Sequence, residues 1–154
     1  MKILIAVDGS ACSDVAADEI AKRPWPEGSA VRIVSVVEPL PVTPMTETWT
    51  LPPDYFDQWE RAVEERASAA LENAVAKFSS GKEAGVTVTS EILKGHARDV
   101  ILDEAKRWPA DLIVVGSHGY RGLKRLWLGS VSQAIASHAS CSVEIVRSRE
   151  SHAE

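Results

Sequence analysis

The residues best suited to chemistry lie between positions 116 and 132, where Gly116, Gly119, Gly129, Ser130, Ser132 and His118 gather in one stretch. The stretch opens on the apolar, β-branched run Leu112-Ile113-Val114-Val115, which reads as a buried strand ending at Gly116. It closes on Gly129-Ser130-Val131-Ser132-Gln133, which reads as a helix start with Ser130 as the cap and Gln133 placed to complete a capping box. Strand, glycine loop and helix N-terminus in that order can cradle an anion. Glycine lets backbone N–H groups approach closely, and the helix end adds unpaired donors and partial positive charge. On spacing alone a well-capped helix after an empty loop fits equally well, so both readings stand at this point.

The elements that must position this stretch follow from apolar patterning. Lys2 to Val7 is a continuous strand stopped by Asp8-Gly9-Ser10, and Ser10 or Ser13 can cap the helix that follows, which Pro24 and Pro26 end. Val31 to Val37 is a second strand. The proline-punctuated stretch 39–53 is too broken for regular structure and reads as a surface excursion. A long helix from about Asp54 to Ser79 repeats apolar residues every three or four positions, from Trp59 to Phe78. Val86 to Ile92 alternates as a half-covered strand, Ala97 to Arg107 is a helix before Pro109, Val131 to about His138 is another, and Val143 to Arg147 is the last strand.

Alternating strands and helices imply an α/β fold, a single-domain open parallel five-stranded sheet with helices on both faces. The first, second and fourth strands are almost solidly apolar and belong in the middle. The third, with Thr87 and Thr89, and the fifth, with Glu144, belong at the edges. That sorting gives the order 3-2-1-4-5, Rossmann-like, with the winding reversed between the first and fourth strands. Ligands bind beyond the carboxyl ends of strands at such a reversal. The two carboxyl ends there are Val7-Asp8-Gly9-Ser10 and Val115-Gly116-Ser117-His118-Gly119, so topology and glycine spacing converge on one place.

No GxxxxGK[ST] occurs, and GxxGxxG at 116, 119 and 122 is not the dinucleotide GxGxxG. Gly116, Gly119, Gly129 and Ser130 instead match G-x2-G-x9-G-[ST], which resembles the nucleotide loop of the universal stress protein family. Val7-Asp8-Gly9-Ser10 is similar to that family's first-strand signature, and the resemblance runs over residues 1–148, leaving 149–154 as a polar tail. It implies an adenine nucleotide, ATP or its relatives ADP and AMP, with Mg as an accompanying ion left open. By the same resemblance Asp8 holds adenine or ribose, Val36 presents backbone to adenine, and Gly116, His118 and Gly119 line ribose and first phosphate. Gly129, Ser130, Val131 and Ser132 would hold the distal phosphates. Each has a plainer reading as well: Asp8 as a turn former, Val36 as core, and Lys124 and Arg125 as the solvated side of a loop anchored by Leu123, Leu126 and Trp127.

A nucleotide-binding switch in stress response or signalling, with an unidentified protein partner, is the function this implies. No catalytic residue is assigned. A slow ATPase would have to draw its metal site and water-positioning group from Asp8, Ser130 and His118, and no acidic residue lies near His118 in sequence to orient it as a base. An interaction protein with an empty cradle is a third reading. An adenylating enzyme of the PP-loop type ranks last, because its SGGxDS loop is missing. The resemblance also implies a homodimer joined through the last strand, though Glu144 on that edge should discourage pairing.

Bulk properties narrow the classes. A net charge of −5 without a long basic run argues against nucleic acid. No apolar run approaches the roughly 18 residues of a membrane span, and the opening MKILIAV is too short for a signal peptide. Cys12 and Cys141 stand outside any CxxC or Cys/His cluster and are expected to be free, buried thiols of a cytoplasmic protein.

Overall fold

The structure, a computed structural model, describes residues 1–40, 52–80, 85–119 and 128–148. In chain order it comprises β1 (Lys2–Ala6), α1 (Ala11–Lys22), β2 (Ala30–Val37), α2 (Tyr55–Ser80), β3 (Thr87–Lys94), α3 (Ala97–Arg107), β4 (Leu112–Gly116), α4 (Ser130–His138) and β5 (Ser142–Val146). The five strands form one sheet in the order β3-β2-β1-β4-β5, every neighbouring pair parallel. This is the order expected from strand polarity. The main differences are at the ends: β3 runs two residues past Ile92 to Lys94 because all eight of its residues find partners on β2, and β5 is set one residue earlier than expected. Most of the excursion at 39–53 and the loop residues 120–127, with Lys124 and Arg125, lie outside the described residues, as does the tail from 149.

The strands read as solid apolar runs because each packs against helices on both faces. Ile3 and Ile5 of β1 point to one side, where Ala16, Ala17 and Ile20 of α1 and Ala70, Leu71 and Ala74 of α2 cover them. Leu4 points to the other, with Ile113 and Val115 of β4, Ile101 and Ala105 of α3 and Ile135 of α4. The alanines keep the helix surfaces flat where they meet the sheet. Fully burying a branched aliphatic side chain contributes about 1.5–3 kcal/mol, so these two layers are the main source of stability. Arg32 on β2 reaches the buried carboxylate of Glu104 at 2.7 Å, and Glu104 also accepts from Arg107 Nε at 2.8 Å, so this buried charge is not left bare.

Glu144 departs from the expected role of an edge charge. Its two carboxylate oxygens accept from both terminal nitrogens of Arg23, at 2.7 and 2.8 Å, so the side chain lies toward the C-terminal end of α1 and not along the open edge of β5. The Arg23 hydrogen bonds hold the Glu144 carboxyl below the usual glutamate range, and they raise Arg23 in turn. A carboxyl lowered in the folded state adds stability above its unfolded value of about 4.3 and loses it as pH falls through the lower folded value. Glu144→Gln should therefore cost about 1 kcal/mol at pH 7, the fork geometry being offset by the solvent exposure of Arg23. Urea titrations at pH 7 and pH 3 check this: the gap between variant and parent should shrink at the lower pH.

Candidate functional site

The site is assembled from the carboxyl ends of β1 and β4 and the first turn of α4. After β1 the chain turns at Gly9, whose φ of +79° suits glycine, and Asp8 closes the turn by accepting from the Ser10 amide at 2.9 Å. Ser10 is the N-cap of α1, its side chain accepting from Ser13 N, and its hydroxyl donates to the His118 carbonyl at 3.3 Å. Ser13, the alternative cap, turns its own hydroxyl back to the Ser10 carbonyl at 3.0 Å. The end of β1 and the loop after β4 are thereby linked by a direct bond.

Two glycines set how closely these pieces approach. A Cβ on Gly116 would fall 2.7 Å from the Ser13 amide nitrogen and 2.8 Å from the Cys12 carbonyl carbon, so only glycine lets the first turn of α1 lie on the end of β4. A Cβ on Gly119 would fall 2.8 Å from Asp8 Oδ2, which places the Asp8 carboxylate directly against the β4 loop. Val36 lies two residues beyond Val34, the partner of Ala6, and is thus level with Asp8 on the neighbouring strand. Its half-buried side chain packs with the α3–α4 layer.

At α4 the structure revises the expected cap. Gly129, not Ser130, is the N-cap, no side chain caps the helix, and Ser130 is its first residue, exposed. Gln133 makes no capping box; its amide simply closes the first helical turn on the Gly129 carbonyl. Ser132 is buried, and its hydroxyl donates to the carbonyls of Ser117 and Gly129 at 3.0 and 2.9 Å. Its hydrogen is therefore already in use, and its role is to hold the loop ends together. The Gly129 amide donates to the Ser117 carbonyl at 2.7 Å and completes that clasp. Among the described residues, a Cβ on Gly129 would meet atoms only at ordinary contact distance, the nearest being Ser117 O at 3.4 Å, so their packing does not demand glycine there. Among the described residues, the amides of Ser130, Val131 and Ser132 have no hydrogen-bond acceptor.

Sequence reasoning missed two residues of this cluster. Ser117 is fully buried, with its hydroxyl 3.1 Å from His118 Nδ1 and donating to Cys12 Sγ at 3.6 Å. Cys12, expected to be buried, is only partly so and stands on the first turn of α1 beside the site. Burial pushes its thiol up, but hydrogen bonding from Ser117 and from the backbone at Ser148 and His118 outweighs this and leaves it below the ordinary value. Cys141 is shifted the other way, mainly by burial. The signal was available: a Cys two residues after a cap on the switch-point helix lies close to whatever binds there.

The comparisons with known proteins bear on this geometry. Residues 1–147 match the model of the universal stress protein family. Universal stress protein YxiE of Bacillus subtilis is 34% identical over 148 residues, covering 95% of this chain and 98% of the relative. The structure of universal stress protein UspA from Lactobacillus plantarum superposes with a TM-score of 0.76 at 26% identity, covering 96% of this chain and 97% of that one. A universal stress protein family protein from Arabidopsis thaliana with AMP bound shares the fold at a TM-score of 0.65 and 23% identity, over 96% and 91% of the two chains. One from Archaeoglobus fulgidus in complex with dAMP does so at 0.63 and 20%, over 95% and 97%.

Two outcomes test the site. Gly116→Ala should destabilise by about 3 kcal/mol, since backbone must move to admit the Cβ, whereas Gly129→Ala should stay within about 1 kcal/mol of the parent; thermal melts separate them. Cys12 should alkylate with iodoacetamide faster than Cys141 at pH 7.5, read by peptide mass mapping. The glycine-lined reversal between β1 and β4, the matched family model and the close relatives agree, and the chain belongs to the universal stress protein family.

Proposed function

We propose that this chain binds an adenine nucleotide at the β1–β4 reversal and acts as a nucleotide-dependent switch in stress response or signalling. One observation carries the reading: among the described residues, the first turn of α4 offers the amides of Ser130, Val131 and Ser132 without an acceptor, beside a Gly129 that packing does not require. Orphan donors at the positive end of a helix suit a phosphate, and a glycine kept where protein alone would accept Cβ suits a ligand that approaches the backbone. In this reading Asp8 and the backbone at Val36 take the ribose and adenine end. Gly116 and Gly119 shape the floor, and His118 stands beside the ribose and first phosphate. The AMP and dAMP held by the Arabidopsis and Archaeoglobus proteins support the nucleoside class. They favour a monophosphate no less than ATP.

An accompanying Mg ion would be coordinated largely by phosphate oxygens, because among the described residues no three His, Cys, Asp or Glu side chains gather to hold a metal. His118 is spoken for by Ser117 and by a further interaction, and its backbone carbonyl by Ser10, so a positioning role suits it better than that of a base. Pairing of β5 with a second copy belongs to the same reading. The capture of Glu144 by Arg23 lifts the expected obstacle to it.

The experiment is calorimetric titration of AMP, ADP and ATP, with mass spectrometry of any nucleotide released from the acid-denatured protein. The parent should bind an adenine nucleotide stoichiometrically. Gly129→Val should weaken binding about a hundredfold, the loss of roughly two charged hydrogen bonds. A parent that binds none of the three would sink the proposal and leave the interaction-protein reading.

A further inference from the structure

β3 is an edge strand whose free side meets no guard among the described residues. The Thr87 amide bonds to the Ser29 carbonyl and the Gly95 amide to the Val37 carbonyl, so the odd-numbered residues turn their backbone groups toward β2. In a parallel ladder the alternate residues then face outward. The N–H and C=O groups of Val88, Ser90 and Ile92 accordingly point away from the sheet, with no hydrogen-bond partner among the described residues. Natural edges are usually blunted by charge, proline or a bulge. Here the eight residues contain no proline, and the two charges are drawn elsewhere. Glu91 is held by Arg32, and Lys94 by Glu60 and Glu64 of α2.

The side chains of Val88, Ser90 and Ile92 share the α2 face of the sheet, so the free edge borders a groove between β3 and α2. That groove has a volume of about 440 Å³, with Leu71, Val75 and Ile92 as its apolar floor and Ser68, Glu72 and Ser90 on its sides. Its outer wall continues along α2 through Arg61, Glu64 and Glu65. Lys94 occupies Glu64, whereas Glu65 and Glu72 have no ionic partner among the described residues. The surface thus offers a backbone template, apolar depth beside it and unneutralised acid above.

The geometry points to β3 as a docking edge for an extended segment of another protein that carries apolar and basic residues together on one face, at every second position. The segment would add as a sixth strand at the usual spacing of about 4.8 Å, bonding to Val88, Ser90 and Ile92. Its apolar side chains would enter the groove over Leu71 and Val75, and Lys or Arg residues two positions away, on the same face, would meet Glu65 and Glu72. A second copy of this chain fits less well, because two β3 edges together would face Glu72 with Glu72. The site lies on a different element from the nucleotide cradle and stands or falls independently of it.

The probe is a display library of random linear peptides selected on the parent protein, with Ser90→Pro as counter-selection. Proline at 90 removes an outward N–H and no ladder bond, so the fold should persist, as its melt and nucleotide titration can verify. Sequences enriched on the parent should carry apolar and Lys or Arg residues two positions apart. A synthetic copy of the best should bind about tenfold more weakly to Ser90→Pro and to Glu72→Lys, the second lying on an exposed helix surface that tolerates charge reversal. Enrichment of acidic sequences or of sequences without that spacing, or equal binding to the parent and both variants, would overturn the proposal. So would a dimer in sedimentation that Ser90→Pro dissociates, since the occupant would then be a second copy.

Discussion

The structure hinges on the close approach of the first turn of α1 to the end of β4, which the absent side chain of Gly116 permits. β1 pairs with β4 across the reversal, so the chain after β1 and the chain after β4 leave the sheet toward opposite faces at one point. With no Cβ at Gly116, Cys12 and Ser13 lie on β4, and the turn at Asp8 is brought against Gly119. Everything proposed for a ligand depends on this contact, because it brings the Asp8 carboxylate, the His118 loop and the start of α4 to one crevice. Around it the side chains are fixed by short local bonds of the serines, namely Ser10 to His118, Ser13 to Ser10 and Ser132 to Ser117. Such bonds are individually modest, about 1 kcal/mol each, but they share atoms and so restrain one another.

Much of this was legible in the sequence because the physics is local or topological. Strand polarity alone ordered the sheet: Thr87 and Thr89 lie exposed on β3, and Ile3, Leu4 and Ile5 lie buried in the middle. The reversal rule then named the two loops that meet. The helix ends were legible wherever a side chain is the cap, as at Ser10, and misread where the cap is glycine. Ser130 and Gln133 have the composition of a capping box, but Gly129 already holds the cap position, and Ser132 uses its hydroxyl on two carbonyls. Composition cannot say which of several adjacent hydroxyls turns back on the chain.

Long-range pairs were illegible for a plainer reason. Glu144 and Arg23 are 121 residues apart, and nothing near either one predicts that they meet. Glu144 on an edge strand reads as a guard against pairing until the C-terminal end of α1 is seen to claim it. The same holds for Cys12 and Ser117, separated by 105 residues and joined only because β1 and β4 are neighbours. Residues that belong to a site by virtue of fold carry no spacing signal unless the fold is derived first.

The clasp at the base of the loop has one more consequence. The Ser117 carbonyl receives both the Gly129 amide and the Ser132 hydroxyl, so the two ends of the intervening segment are tied to each other. Closing a longer segment across fixed ends is entropically inexpensive, about 0.6 kcal/mol for each doubling of length. The start of α4 is thus fixed to the end of β4 directly, and its amides keep their position whatever the length of the chain between. The length and composition of that connecting chain can therefore vary without disturbing the sheet beneath it.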